Sequence, residues 1–357
     1  MLSTKTSYIK ELDGLRAIAA LMIIFFHFFQ GVGIQEISPS WLVFSKKISM
    51  FGQTGVDLFF VLSGFLITRI LLSTKGKTGF FKNFYLRRSL RIFPLYYFFL
   101  FINFVALPRL DASQEVSSFD VLVFATYLQN FSFTFDWGAQ GPFHFWSLAV
   151  EEHFYLVWPL LVFAFPERRL KYALGILVLL PLLIRYFMAN EGYEVFYFSL
   201  TRMDTLAMGA YLALVERIGY LKPTYSSRYG LAMMASIVLL IITWVFAGGQ
   251  SMLAVQVLKF SFIGMTYFFM LAWIIAQRKE GTTTERVLCN PILVYLGMIS
   301  YGLYVYHPLC FKLVDGLLSS TQLGSFLVSL GCTVFVATLS YFMLERPFLS
   351  LKDRLAK

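Results

Sequence analysis

The chain has 357 residues, 58% hydrophobic and only 14% charged, with a net charge of +10. Soluble domains carry about 25% charged residues, and 40 phenylalanines cannot be hidden in a water-soluble core of this size. Composition therefore excludes a soluble protein, and the basic excess reads as a membrane-topology signal rather than a nucleic-acid footprint.

Apolar runs of about 20 residues predict ten spanning helices, at 17–34, 55–73, 92–108, 146–165, 172–189, 200–217, 229–247, 253–276, 291–311 and 324–343. The segment DVLVFATYLQNF, 120–131, is apolar but too short to cross and is expected as an interfacial or re-entrant helix. Lys and Arg concentrate before the first span, between spans two and three, and at alternate loops thereafter, which predicts cytoplasmic N- and C-termini. No small-residue cleavage site follows the first span, so it is expected to stay as a helix and not to leave as a signal peptide. The fold class is all-α: a polytopic bundle in the cytoplasmic (inner) membrane, one domain over 1–357, ending in a short basic tail at 348–357. Cys289, Cys310 and Cys332 are odd in number and lack C-x-x-C spacing, so neither a disulfide framework nor a metal site is expected.

The first span, ELDGLRAIAALMIIFFHFF, carries two ionisable groups on one face. Arg16 and His27 are eleven residues apart, which on a helix is about 20° of rotation and about 16 Å of rise. Arg16 alone is explained by snorkelling and the positive-inside rule, whereas an intramembrane histidine is a functional candidate by default. Asp57 opens the second span. It is either a helix cap or the carboxylate that orients His27. In the basic loop that follows, Arg88 and Arg91 share a helix face. That pair suits either topology alone or phosphate binding.

At the start of the fourth span, Trp146 and Glu151 suit an acceptor site, with Glu152 pointing about 100° away from Glu151; the helix dipole alone also explains the two carboxylates. Arg202 and Asp204 open span six and are expected either to pair with each other or to serve the same site. On span nine Tyr304 and His307 share a face, and Pro308 directly follows.

LDGLRAIAALMIIFFH resembles the opening motif of the acyltransferase-3 family of integral membrane acyltransferases, an Arg followed after ten residues by a His. FGQTGVDLFFVLSGFLI, FYLRRSLRIFPLYY, FWSLAVEEHFYLVWPLL, TRMDTLAMGA, ISYGLYVYHP and LERP resemble that family's later blocks, in order, from about residue 11 to 347. The resemblance implies transfer of an acyl group, acetyl foremost, from acyl-CoA (acetyl-CoA) to a hydroxyl of an envelope or exported glycan or lipid-linked saccharide. It implies no permanently bound cofactor, and the lipid bilayer as surroundings. It puts His27, Asp57 and Glu151 at the chemistry, Arg16, Arg69, Arg87, Arg88 and Arg91 at the CoA phosphates, and Trp146, Arg202, Asp204, Tyr304 and His307 at the acceptor.

Neither direct nor two-step transfer is selected. Residues five beyond each histidine are Val32, Ala149, Trp158 and Lys312, so the H-x-x-x-x-D pattern of soluble glycerolipid acyltransferases is missing. The alternative reading is a proton-coupled transporter that uses the same ionisable residues as a relay.

Overall fold

The structure is a computed structural model that describes residues 8–33, 39–110, 115–246, 252–315 and 321–355. Among the described residues all regular structure is helical. In chain order the α-helices of six residues or more are α1 (Glu11–Gly31), α2 (Ser40–Ser49), α3 (Gly55–Thr74), α4 (Phe80–Phe101), α5 (Ser118–Ala125), α6 (Gln129–Phe135), α7 (Trp146–Ala164), α8 (Glu167–Asn190), α9 (Ser199–Arg217), α10 (Ser226–Phe246), α11 (Leu253–Ala276), α12 (Thr283–Leu288), α13 (Pro291–Met298), α14 (Ser300–Asp315), α15 (Gln322–Ser340) and α16 (Arg346–Leu355).

Eight helical stretches among the described residues are long and apolar enough to cross a membrane, and nine if α13 and α14, bent by 74° at their junction, count as one. Ten were expected from the hydropathy of the sequence. The difference is α9: it has the length, but its first two turns carry Thr201, Arg202, Asp204 and Thr205, all buried. A helix this polar is enclosed by other helices rather than by lipid. The expected single helix at 120–131 is two short ones, α5 and α6, separated by Tyr127 at φ 59°, a left-handed conformation that no α-helix passes through. The C-terminal tail begins as the helix α16; residues 356–357 lie outside the described residues.

The chain forms two compact units. The first comprises 60–84 and 100–280. At its centre α3 and α9 cross in close contact, because each offers a glycine to the other's backbone. A Cβ on Gly64 would lie 2.0 Å from the Leu206 carbonyl oxygen, and one on Gly209 2.0 Å from that of Val61. Membrane helices lack a hydrophobic drive to associate, so such close van der Waals approach is a main source of their affinity. Trp158 of α7 donates to Thr68 Oγ1 at 2.8 Å. Lys75 donates to the Val162 and Phe165 carbonyls at the C-terminal end of α7, where a cation complements the helix dipole.

The second unit comprises 8–59, 85–99 and 281 onward. Here α1 runs against α12, α13 and α14. A Cβ on Gly14 would meet the Leu288 carbonyl at 2.1 Å, and one on Gly297 the Asp13 carbonyl at 2.0 Å. Ala20 and Ile24 of α1 share a core with Ile299, Leu303 and Ala337. The C-terminal end of α1 is tied down by α2: Gln30 donates to the Lys46 carbonyl and to Ser49 Oγ, and Lys46 Nζ to the Val32 carbonyl. These contacts fix both ends of the helix that carries Arg16 and His27.

Candidate functional site

Within the second unit, α1 presents a cationic end and an imidazole end. At the first, Arg16 Nη1 lies 3.1 Å from Asp13 Oδ1, and the Tyr8 hydroxyl also bonds Asp13. Arg88 and Arg91 are near enough for their charges to act on Arg16. Arg91 in turn acts on Glu345, buried on the π turn Tyr341–Glu345. Three guanidinium groups therefore gather near α1's first turns. Forked donors in this number suit a phosphate-bearing ligand. Arg87, one residue from Arg88, is exposed on α4.

At the other end, His27 Nδ1 and His307 Nε2 are 2.8 Å apart. The rings lie within 16° of parallel with centroids 4.9 Å apart. That separation is about the N···N distance plus two ring radii, as an in-plane hydrogen bond requires. His307 is fully buried, with its other nitrogen, Nδ1, 2.7 Å from the Tyr304 carbonyl oxygen. Phe311 meets the His307 ring edge-on, and Tyr301 donates from the next turn to the Ile92 carbonyl at 3.0 Å, which ties α14 to α4. The imidazole that contacts His27 is the one expected at the acceptor. Asp57, expected as the carboxylate orienting His27, stands buried in the first turn of α3, where a negative charge also complements the helix dipole.

The remaining expected site residues lie in the first unit. Arg69 Nε is bonded to Glu216 Oε2 at 2.5 Å. Trp146 is buried, and the Arg202 guanidinium sits among its ring, Phe60, Phe196 and Phe260, closest to Phe260 at 3.8 Å. Glu151 accepts from the Tyr155 hydroxyl at 3.1 Å, and that hydroxyl also meets Ser63 Oγ. Arg202 and Asp204 were one expected pair, but Asp204 is held by Arg185: Nη2 lies 2.9 Å from Oδ2, both side chains fully buried. Residues two apart on a helix do not face each other, which is why the neighbour in sequence is not the partner in space. Ser261 donates to the same Oδ2 at 2.6 Å, and Arg185 Nη1 to the Thr201 carbonyl at 2.9 Å.

Arg185 is the residue that sequence reading missed. Its signal was present, a lone arginine inside LVLLPLLIRYFM, and intramembrane arginines are rare enough to deserve a partner on sight. His153 and Ser199 were also missed as a pair. His153 Nδ1 lies 2.6 Å from Ser199 Oγ, which also receives Asn130 Nδ2 at 2.7 Å. No local spacing announces that contact, because it joins α6, α7 and α9.

A family model described as an acyltransferase domain matches residues 9–345. The chain belongs to this acyltransferase family. All the polar groups of both units named above, apart from Tyr8, lie inside the matched segment. Among curated relatives, the chain is 29% identical to a Staphylococcus aureus (strain COL) protein provisionally named an O-acetyltransferase, over 96% of this chain and 58% of that one. It is 28% identical to the peptidoglycan O-acetyltransferase OatA of Listeria monocytogenes, over 95% and 56%, and 26% identical to the O-acetyltransferase OatA of S. aureus NCTC 8325, over 95% and 57%. The chain thus spans less than two thirds of the length of these relatives. No solved structure matches it.

Proposed function

We propose that this member of the acyltransferase family transfers an acyl group, acetyl foremost, from acyl-CoA to a hydroxyl of a cell-envelope glycan. The observation that carries the reading is the arrangement on α1: Arg16, within reach of the charges of Arg88 and Arg91, and His27, bonded to His307, about 16 Å further along the helix. A CoA thioester is built to that pattern, with phosphates at one end of a long arm and the reacting carbonyl at the other. The relatives named for O-acetylation, one of them acting on peptidoglycan by its name, support a glycan hydroxyl as acceptor.

On this reading the acceptor oxygen attacks the thioester carbonyl. The C–O bond forms as the C–S bond breaks. The hydroxyl proton passes to the nitrogen of His27 that does not face His307, Nε2, and from there to the departing thiolate. Positioned acid–base groups of this kind are worth about 10²–10⁴-fold in rate. The basic loops suit a cytoplasmic entry for the donor.

The test is release of free CoA and of an acylated glycan by the protein in nanodiscs with acetyl-CoA and isolated envelope glycans, native against His27→Gln. Glutamine keeps polarity and approximate size but carries no titrating nitrogen. Transfer by the native protein that the variant loses is the expected result. Near-native transfer by the variant, or vesicle accumulation of unmodified substrate without CoA release, overturns the reading.

A further inference from the structure

α14 contains a proline in its interior, Pro308. A proline has no backbone N–H, so the carbonyl four residues earlier loses its helical donor. That carbonyl belongs to Tyr304, and His307 Nδ1 lies 2.7 Å from it. A carbonyl oxygen only accepts, so His307 Nδ1 carries the proton. In a neutral imidazole the other nitrogen is then a bare acceptor. His307 Nε2 faces His27 Nδ1 at 2.8 Å, so the proton of that bond belongs to His27 Nδ1. His27 Nε2 is left with its lone pair and no proton.

We infer that Pro308 and His307 are positioning residues that fix the tautomer of His27 through the chain Tyr304 carbonyl, His307, His27, and so leave His27 Nε2 as the basic atom. The inference rests on the proposed role of His27 and adds two residues to it. The chain also gives the proton somewhere to go. When His27 Nε2 takes the acceptor's proton, the ring becomes an imidazolium whose Nδ1–H still points at the His307 lone pair, and the cation is stabilised by that acceptor. When the thiolate leaves, Nε2 returns the proton to sulfur and the original tautomer is restored. Atoms and charge balance with no other reactant. Pro308 matters because an ordinary residue at 308 would donate its own N–H to the Tyr304 carbonyl and compete with His307.

The protein has only four histidines, so a ¹⁵N-histidine spectrum of the full chain in nanodiscs is sparse, and single substitutions assign it. The native protein is expected to show His27 protonated at Nδ1 and bare at Nε2. His307→Phe should mix the tautomers of His27 and lower kcat by about 10²-fold or more, with KM for acetyl-CoA within about twofold because the arginine cluster is remote. His307→Gln, whose amide oxygen accepts from His27 Nδ1, should restore the native tautomer and part of the turnover lost in Phe. Pro308→Ala should give a partial mixture and a smaller loss, roughly tenfold, as small misplacements do. If His27 in the native protein carries its proton on Nε2, or if His307→Phe and Pro308→Ala leave both tautomer and kcat unchanged, the inference is overturned. Should His27→Gln abolish transfer while His307→Phe does nothing, the role of His27 stands and only the tautomer chain falls. Should His27→Gln transfer normally, the proposed function falls, whatever tautomer the spectrum records. Donor binding and a monodisperse elution profile show which variants are folded, and His307→Gln remains informative if Phe is not.

Discussion

The two units each bury a polar pair joining distant helices, and the pairs are built to opposite specifications. In the first, Arg185 and Asp204 form a buried ion pair, and Asp204 is nearly saturated: Oδ2 takes Arg185 and Ser261, and Oδ1 takes the N–H of Thr205. In the second, His27 Nδ1 and His307 Nε2 share an N···N bond and His307 Nδ1 bonds the Tyr304 carbonyl, a chain that does not use His27 Nε2. The charged pair holds helices in register, with both carboxylate oxygens of Asp204 engaged. On the tautomer inferred above, the imidazole pair keeps a lone pair available at His27 Nε2. Burial alone therefore does not mark a catalytic group.

The largest effects expected separate these two specifications. His27→Gln should lose about 10²–10⁴-fold in transfer while yield and thermal stability stay near native. Arg185→Leu or Asp204→Leu should do the reverse. Each leaves a buried charge without its partner, which costs about 3–5 kcal/mol, so the folded fraction falls while transfer per folded molecule is kept. The double variant should recover much of the stability, since an apolar replacement of a buried ion pair is often neutral or better. Thermal unfolding in detergent together with turnover normalised to folded protein reads both. A single variant at 185 that folds as well as native but transfers nothing would move that pair from the structural side of the comparison to the chemical one.

An intermediate effect is expected at the arginines. Arg88→Lys and Arg91→Lys keep the charge that sets topology but lose the planar fork, so KM for acetyl-CoA should rise, by roughly tenfold for one bidentate contact, with kcat little changed. Arg69, already engaged by Glu216, is the control. Arg69→Lys should leave donor KM near native, and a rise as large as at 88 or 91 would return Arg69 to the donor phosphates. Steady-state kinetics with varied acetyl-CoA decides it.

Where groups share one helix, the site was legible in the sequence. Arg16 and His27 lie on one face of α1 because eleven residues make nearly three whole turns, and Arg88 with Arg91 follows from a spacing of three. Where two helices meet, it was not. Nothing in VYHP or in FFHFF says that His307 and His27 touch, because their contact depends on how α1 and α14 pack, and the 74° bend between α13 and α14 fell within a stretch that hydropathy reads as one span. The same holds for Arg185 and Asp204. Helix positions follow from apolar runs that local composition records; partners across helices follow from packing that it does not. The proline at 308 is the exception: its missing N–H is a covalent fact, and the loss of the backbone donor to the carbonyl of residue 304 was deducible before any coordinates.

The smallest effect concerns a polar group outside the spans, where the comparison is open to pH. Asp120 closes a capping box at the start of α5. Its Oδ2 accepts from the Ser117 N–H and hydroxyl, and its Oδ1 from the Gln140 N–H at 2.7 Å. Burial pushes the carboxyl up, but the Gln140 N–H and the Ser117 side chain and N–H together outweigh it and hold the group below the usual carboxylate range. A carboxyl whose folded pKa is depressed contributes stability that is complete above its unfolded value, about 3.9, and is lost as pH falls through the lower folded value. Hydrogen exchange at the Gln140 amide should therefore stay slow and unresponsive to this group from pH 7 to about 5 once corrected for intrinsic rates, then lose protection as the solution is made more acidic. Asp120→Asn puts an amide donor where only donors arrive, and should cost on the order of 1 kcal/mol, remove the acid-dependent step, and leave transfer near native. Like Arg185 with Asp204, Asp120 has spent its acceptors on structure. If Asn instead lowers turnover several-fold with Gln140 still protected, the segment joining α6 to α7 belongs with the site, and its bonded carboxylate is not a cap alone.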